Sequence, residues 1–262
     1  MGDMPVIPNH ELNRILLDQG RHPGRCLVIA HRGASAEAPE NTLSALDLAI
    51  EIGADAVEFD VRSSQDDRLV LMHDETVNRT TDGRGPIGSK LSPEIRILDA
   101  GRWFAPTFKK ERVPTLLQAL RLVSGKIVPI IEIKDEFSRA PWAARSVAEA
   151  LDRSGVGSSQ AVVIARDLRH LNAMKTVSPG TPCAAVTLRE KEVLGALQTT
   201  VDGAFAYWPS TSAALVRTAR EVGNFFLAAW TLDGAHMKTV CRYGIDALVT
   251  NNPRAGLSVV CS

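Results

Sequence analysis

Apolar residues fall into two rhythms that alternate along this chain. Compact, mostly apolar runs at 26–30, 55–61, 126–134, 161–165, 183–188, 203–207, 225–231 and 246–250 read as buried strands. Between them apolar positions recur every three or four residues, as at Leu43, Leu46, Ala49 and Ile50 before Gly53. That period predicts helices over 42–52, 116–123, 142–153, 168–177, 191–199, 213–221 and 235–243. Strand, helix and strand joined by short links make a right-handed βαβ unit and hence a parallel sheet. Eight such strands over 262 residues predict an α/β fold, a (β/α)8 TIM barrel. Alternation alone also fits an open doubly wound sheet.

One further run, 69–73, breaks the alternation. It begins about eight residues after Val61, fewer than the dozen or so a parallel crossover takes. It must therefore return antiparallel, in a hairpin turned around Gln65-Asp66-Asp67, which sets His73 near Glu58 and Asp60. Residues 75–113, rich in Thr, Gly, Pro and charge, follow as a small insertion after the second strand. They are expected over the barrel mouth, with Trp103 and Phe104 as packing anchors or a lid. Residues 1–25 form an N-terminal extension in which Leu12, Ile15 and Leu16 predict a short helix, and 26–262 form the barrel domain.

Composition narrows the partners. With 45% hydrophobic and 23% charged residues the chain can bury one sizeable core. Thirty basic residues balance thirty acidic ones without a Lys/Arg run, so a dedicated nucleic-acid surface or membrane patch is not expected and a small-molecule partner is. Cys26, Cys183, Cys241 and Cys261 contain no C-x-x-C pair, which argues against a zinc knuckle or redox motif. Neither a signal-peptide apolar region nor a membrane-length apolar run is present, and a cytoplasmic location is the expectation.

The chemistry gathers at strand ends. Glu58 and Asp60 are two apart on a strand and share a face, as two carboxylates holding one cation must. An E-x-D pair alone reads more readily as a solvated strand end or a salt bridge than as a cation site. Glu132 repeats the pattern with Lys134 on the next barrel strand, and three carboxylates from neighbouring strands suit a hard divalent cation, Mg²⁺ or Ca²⁺. Glu40 is a candidate fourth ligand. His31 and His73 are candidates for proton transfer near neutral pH. Arg32 and Lys134 are placed to bind phosphoryl oxygens or to neutralise the acids.

In order along the chain, H-R-G at His31, E-N-T at Glu40, E-F-D-V at Glu58, H-D at His73, R-T-T-D-G at Arg79, V-P-T-L at Val113, E-I-K at Glu132 and W-T at Trp230 resemble the glycerophosphodiester phosphodiesterases. Each triplet is weak, but the ordered set over 27–253 is specific. The resemblance implies a barrel of the phosphatidylinositol phospholipase C type and one divalent metal on Glu58, Asp60 and Glu132. It also implies His31 and His73 as acid and base, with phosphate contacts at Arg32 and Lys134. Two departures stand out: Thr250-Asn251-Asn252-Pro253 against the usual T-D-x-P, and Ala165-Arg166 against the usual Ser-Phe. Both are expected to spare the metal and histidine positions and to bear on the alcohol side. The implied activity is hydrolysis of a glycerophosphodiester to glycerol 3-phosphate and an alcohol. The alternatives are a lysophospholipase D with an acyl chain along Trp103, Phe104, Trp208 and Trp230, and a non-catalytic phosphodiester-binding barrel. The second would have lost a histidine or a metal carboxylate, and all are present here.

Overall fold

Short apolar segments that cannot bury themselves singly pair edge to edge until the last meets the first. The computed structural model describes residues 25–223 and 225–260. Its strands are β1 (Leu27–His31), β2 (Ala56–Ser63), β3 (Leu69–Leu71), β4 (Val128–Ile133), β5 (Val162–Ala165), β6 (Cys183–Thr187), β7 (Gly203–Tyr207), β8 (Phe226–Trp230) and β9 (Ala247–Thr250). All but β3 pair in parallel, in the order β1-β2-β4-β5-β6-β7-β8-β9, and β9 closes on β1 with Leu27 opposite Ala247. The ring is a (β/α)8 barrel, and the open-sheet alternative is excluded by that closing pair.

The helices are α1 (Leu43–Ile52), α2 (Ser92–Arg96), α3 (Leu116–Val123), α4 (Ala140–Ser154), α5 (Leu168–Val177), α6 (Glu190–Ala196), α7 (Ala213–Glu221), α8 (His236–Arg242) and α9 (Pro253–Val260). Alternation along each strand sorts two cores. Inward residues such as Leu27, Ile29, Ile130, Phe205 and Phe226 fill the barrel, the two phenylalanine rings 6.0 Å apart. Outward residues such as Val28, Phe59 and Ile131 join Leu46, Leu120 and Val147 of the helices in the outer core. Thr42 starts α1 by accepting the Ala45 N–H, and Gly53 ends it at φ 83°.

The misfit segment forms the hairpin its spacing requires. β3 runs antiparallel to β2, with Val61 opposite Leu71, and the Met72 N–H donates to the Asp60 carbonyl at 3.1 Å. Residues between β3 and α3 carry a small core of their own, in which Val77, Ile87, Ile95 and Ala100 pack with Val70 and Met72. Trp103, Phe104 and Phe108 meet edge to face beside it, and the Trp103 indole donates to the Ala100 carbonyl. The expected helix at Leu12 to Leu16 lies outside the described residues. Two helices were not legible in the apolar pattern. The five-residue α2 is too short to show a period, and α9 carries Gly256 in its interior. Among the described residues no helix is long and apolar enough to cross a membrane.

Candidate active site

Strand register assembles the site at the carboxyl ends of β1, β2 and β4, the end of a barrel where chemistry resides. His31 lies opposite Glu58, and Asp60 lies opposite Glu132. The carboxylates of Glu58, Asp60 and Glu132 each offer an oxygen within 4.8 Å of the others, and all three are buried. Three acids this close repel one another unless cations or protons intervene. Lys134 Nζ sits 2.7 Å from Glu132 Oε1 and 3.3 Å from Asp60 Oδ1, and Arg32 Nε is 3.1 Å from Asp60 Oδ2.

Compensation is uneven. Burial tends to raise Asp60, but Arg32 and then Lys134 hold it below its ordinary value, and the Asn41 side-chain amide donates to Oδ2 at 2.8 Å. Glu58 is pushed well up by burial and then by Asp60 and Glu132. Glu132 rises to about 7, by burial first and Asp60 second, against the pull of Lys134. Glu58 Oε1 and Asp60 Oδ1 are buried and receive no hydrogen bond. Anionic oxygens that lack hydrogen bonds, beside a third carboxylate, fit a hard divalent cation, which would complete their coordination.

Glu40 does not join that cluster. Its oxygens take Arg32 Nη1 at 2.8 Å and the Arg79 guanidinium at 2.7 and 2.8 Å, so it anchors two arginines and stands outside the cluster of three carboxylates. Arg32 is held further by its backbone. At φ 55° it occupies the left-handed region, which aims its N–H at Glu58 Oε2, 2.9 Å away. Gly33 follows at φ 83°, and a Cβ there would meet the Ala45 carbonyl carbon at 2.5 Å.

The two histidines are oriented differently. His31 Nδ1 lies 2.7 Å from Asn251 Oδ1, leaving Nε2 4.0 Å from Glu58. Burial and then Arg32 bring its pKa down to about 4 against the Asn251 hydrogen bond, so the ring is neutral at pH 7. His73 Nδ1 lies 2.7 Å from Asp74 Oδ1, and Arg79 clamps that same carboxylate. Burial lowers His73 as well, opposed by Asp60 and Asp74. Arg62 fixes the backbone on either side, donating to the His73 carbonyl at 2.7 Å and the Lys134 carbonyl at 3.0 Å.

The fold brings together His31, Arg32, Glu58, Asp60, His73, Glu132 and Lys134, which sequence reasoning named, but that reasoning missed the groups that aim them: Asn41, Asp74, Arg79 and Asn251. Three of these lie inside the quoted motifs E-N-T, H-D and R-T-T-D-G. The fourth corrects an expectation. The T-N-N-P departure does reach a histidine position, since Asn251 is the partner of His31. The second departure also reaches the site, since Arg166 lines its cavity.

That cavity, about 190 Å³, has His31, Glu58, His73 and Lys134 on one side and Val186, Leu188, Phe205 and Trp230 on the other. Trp103, Phe104 and Trp208 are elsewhere. Trp208 stacks on His236 with ring centres 4.2 Å apart.

A closed barrel with a carboxylate cluster and oriented histidines at its strand ends defines a TIM-barrel enzyme. The sequence matches the glycerophosphoryl diester phosphodiesterase family over residues 31–255, and the chain belongs to that family. A glycerophosphodiester phosphodiesterase of Caldanaerobacter subterraneus is 31% identical over 245 residues, 90% of this chain and 98% of that one. A Bacillus subtilis chain named as a candidate for the same activity is 33% identical over 235 residues, 86% of this chain and 94% of that one. Among solved structures, a phosphodiesterase of Oleispira antarctica, in complex with the product sn-glycerol-3-phosphate, superposes with a TM-score of 0.82. It is 27% identical and covers 91% of this chain and 98% of its own. The chain is an enzyme of this class, a glycerophosphodiester phosphodiesterase.

Proposed function

We propose that this phosphodiesterase uses one divalent cation, Mg²⁺ or Ca²⁺, held by Glu58, Asp60 and Glu132, together with His31 and His73 as its acid–base pair. The observation that carries the reading is the cluster of three buried carboxylates beside both histidines, with Glu58 and Glu132 lining the same cavity as His31 and His73. The bound cation supplies charge neutralisation at the nonbridging oxygens of the phosphodiester. Arg32 and Lys134, already fixed by Glu40, Asp60 and Glu132, share the charge that develops there. One histidine removes a proton from the attacking hydroxyl and the other protonates the departing alkoxide. In the net reaction water forms one P–O bond and the P–O bond to the alcohol breaks, giving glycerol 3-phosphate and a free alcohol, whether water attacks directly or opens a cyclic phosphate formed by a neighbouring hydroxyl.

The Oleispira antarctica enzyme binds that same product, which supports the glycerol side of the assignment. A cavity of about 190 Å³ is smaller than the pockets that enclose drug-sized ligands. This size favours small alcohols, as in glycerophosphocholine and glycerophosphoethanolamine, over a lysophospholipid with its acyl chain.

Single His31→Ala and His73→Ala variants test the acid–base pair. Each is expected to lower kcat on a glycerophosphodiester by about 10² or more with an unchanged far-UV spectrum. Turnover near that of the parent in either variant refutes that residue's role. Full activity after exhaustive chelation refutes the cation.

A further inference from the structure

Along β2 the side chains of Glu58, Asp60 and Arg62 share one face, because a strand repeats every two residues. Arg62 puts that placement to a different use from the two acids before it. A guanidinium two residues from Asp60 is expected to pair with a site carboxylate, as Arg32 and Lys134 do. Among the described residues Arg62 forms no ion pair. Its Nε donates to the His73 carbonyl at 2.7 Å and its Nη1 to the Lys134 carbonyl at 3.0 Å. Arg62 is half-buried and does not line the cavity that holds His31, His73 and Lys134.

Both acceptors lie just past regular strand pairing, since β3 stops at Leu71 and β4 at Ile133. The β4 side is well anchored on β2. The Lys134 N–H donates to the Val61 carbonyl at 3.1 Å, and Asp135 Oδ1 accepts the Ser63 N–H at 2.9 Å. The β3 side has less: the Met72 N–H reaches the Asp60 carbonyl at 3.1 Å, and His73 itself lies one residue further on. Asp74 turns the His73 ring, but as the next residue of the same loop it does not set where that loop stands against β4. Arg62 does. Its Nε and Nη1 belong to one rigid plane, so a single side chain ties the backbone of His73, on the hairpin, to that of Lys134, on the barrel.

Resting on the hydrolytic reading above, we propose that Arg62 is a positioning residue for the reaction, whose guanidinium fork holds the proton-transferring His73 in place against the phosphate-binding Lys134. Misplacing a reacting group by about 1 Å can cost about 10² in rate. Loss of the fork is therefore expected to slow the chemical step about tenfold or more. Substrate binding should change little, because Lys134 keeps its contacts with Glu132 and Asp60.

The test is a double-mutant cycle on the cation-loaded enzyme, with kcat and KM for glycerophosphocholine and a far-UV spectrum of each variant. In the parent background Arg62→Met is expected to lower kcat about tenfold or more with KM within about twofold. In the His73→Ala background no ring remains to be placed, and the same change should cost less than about twofold. Arg62→Lys keeps the charge without the fork and should lose nearly as much as Arg62→Met. Arg62→Gln takes the place of Arg62→Met in the cycle if the latter does not fold. Equal losses in the two backgrounds, parent-like kcat in a folded Arg62→Met, or parent-like kcat in Arg62→Lys each overturn the inference alone. Parent-like turnover in His73→Ala overturns the acid–base reading and the inference with it.

Discussion

Replacing Glu132 by glutamine should make the cation-free protein more stable while removing its activity. The acid is buried beside Asp60, and its pKa stands at about 7 against an ordinary 4.5. Above pH 7 the folded chain ionises a group it holds less comfortably than the unfolded chain does, at a cost of about 3 kcal/mol. The sign follows from proton counting. Between pH 4.5 and 7 the folded state binds the extra proton, so Glu132 reduces stability as pH rises through that window. Glutamine keeps the shape without the charge. In EDTA, Glu132→Gln should therefore melt several degrees above the parent at pH 8 and close to it at pH 5, at about 2–4 °C per kcal/mol for a chain of this size. Added Mg²⁺ should raise the parent's Tm and leave the variant's nearly unmoved, because the variant has lost a ligand. Thermal scans at the two pH values, with and without Mg²⁺, give all four numbers. A variant that melts below the parent at pH 8 in EDTA refutes the account of buried repulsion, and an equal Mg²⁺ response in the two proteins removes Glu132 from the cation site.

Asn251→Ala frees the His31 ring and is expected to lower kcat about tenfold or more with KM nearly constant. Asn251→Asp places a carboxylate there, raises the His31 pKa from about 4 and moves the acid limb of the pH–rate profile upward. An unmoved limb would mean that His31 does not set it. Gly33→Ala needs a left-handed alanine whose Cβ meets the Ala45 backbone, and a loss of about 2 kcal/mol or more in urea unfolding is expected. Asp66 is held to about 2 by the Ser64 hydroxyl and then by Ser92, below its ordinary 3.8. Its stabilising effect is therefore present above pH 3.8 and fades as pH falls through about 2. Asp66→Asn should melt earlier than the parent at pH 6 and not at pH 2, and equal melting at pH 6 would deny it that role.

The barrel strands were legible because burial on both faces leaves short apolar runs that helices do not produce. The β2–β3 hairpin was legible because too few residues join those strands for a crossover. The three carboxylates followed from the strand period of two, which puts Glu58 with Asp60 and Glu132 with Lys134 whatever lies between. What escaped notice was the aiming of those groups. Asn41 and Asn251 are polar loop residues of no fixed period, and Asn251 meets His31 across 220 positions of sequence. Glu40 was visible as an acid near the site, but its engagement by Arg79 depends on how the insertion folds back, a matter of three dimensions.

The bond between His31 and Asn251 ties the start of the barrel to its finish. His31 ends the first strand and Asn251 follows the last, so this hydrogen bond exists only once β9 has docked on β1. Every ionisable group proposed for the reaction lies at or before Lys134. A nascent chain could therefore display all of them long before it could aim one of its two histidines. Competence would then arrive late and abruptly, with the slow, non-local pairing that shuts the ring. Ribosome-stalled chains should bind the cation at lengths where they hydrolyse nothing.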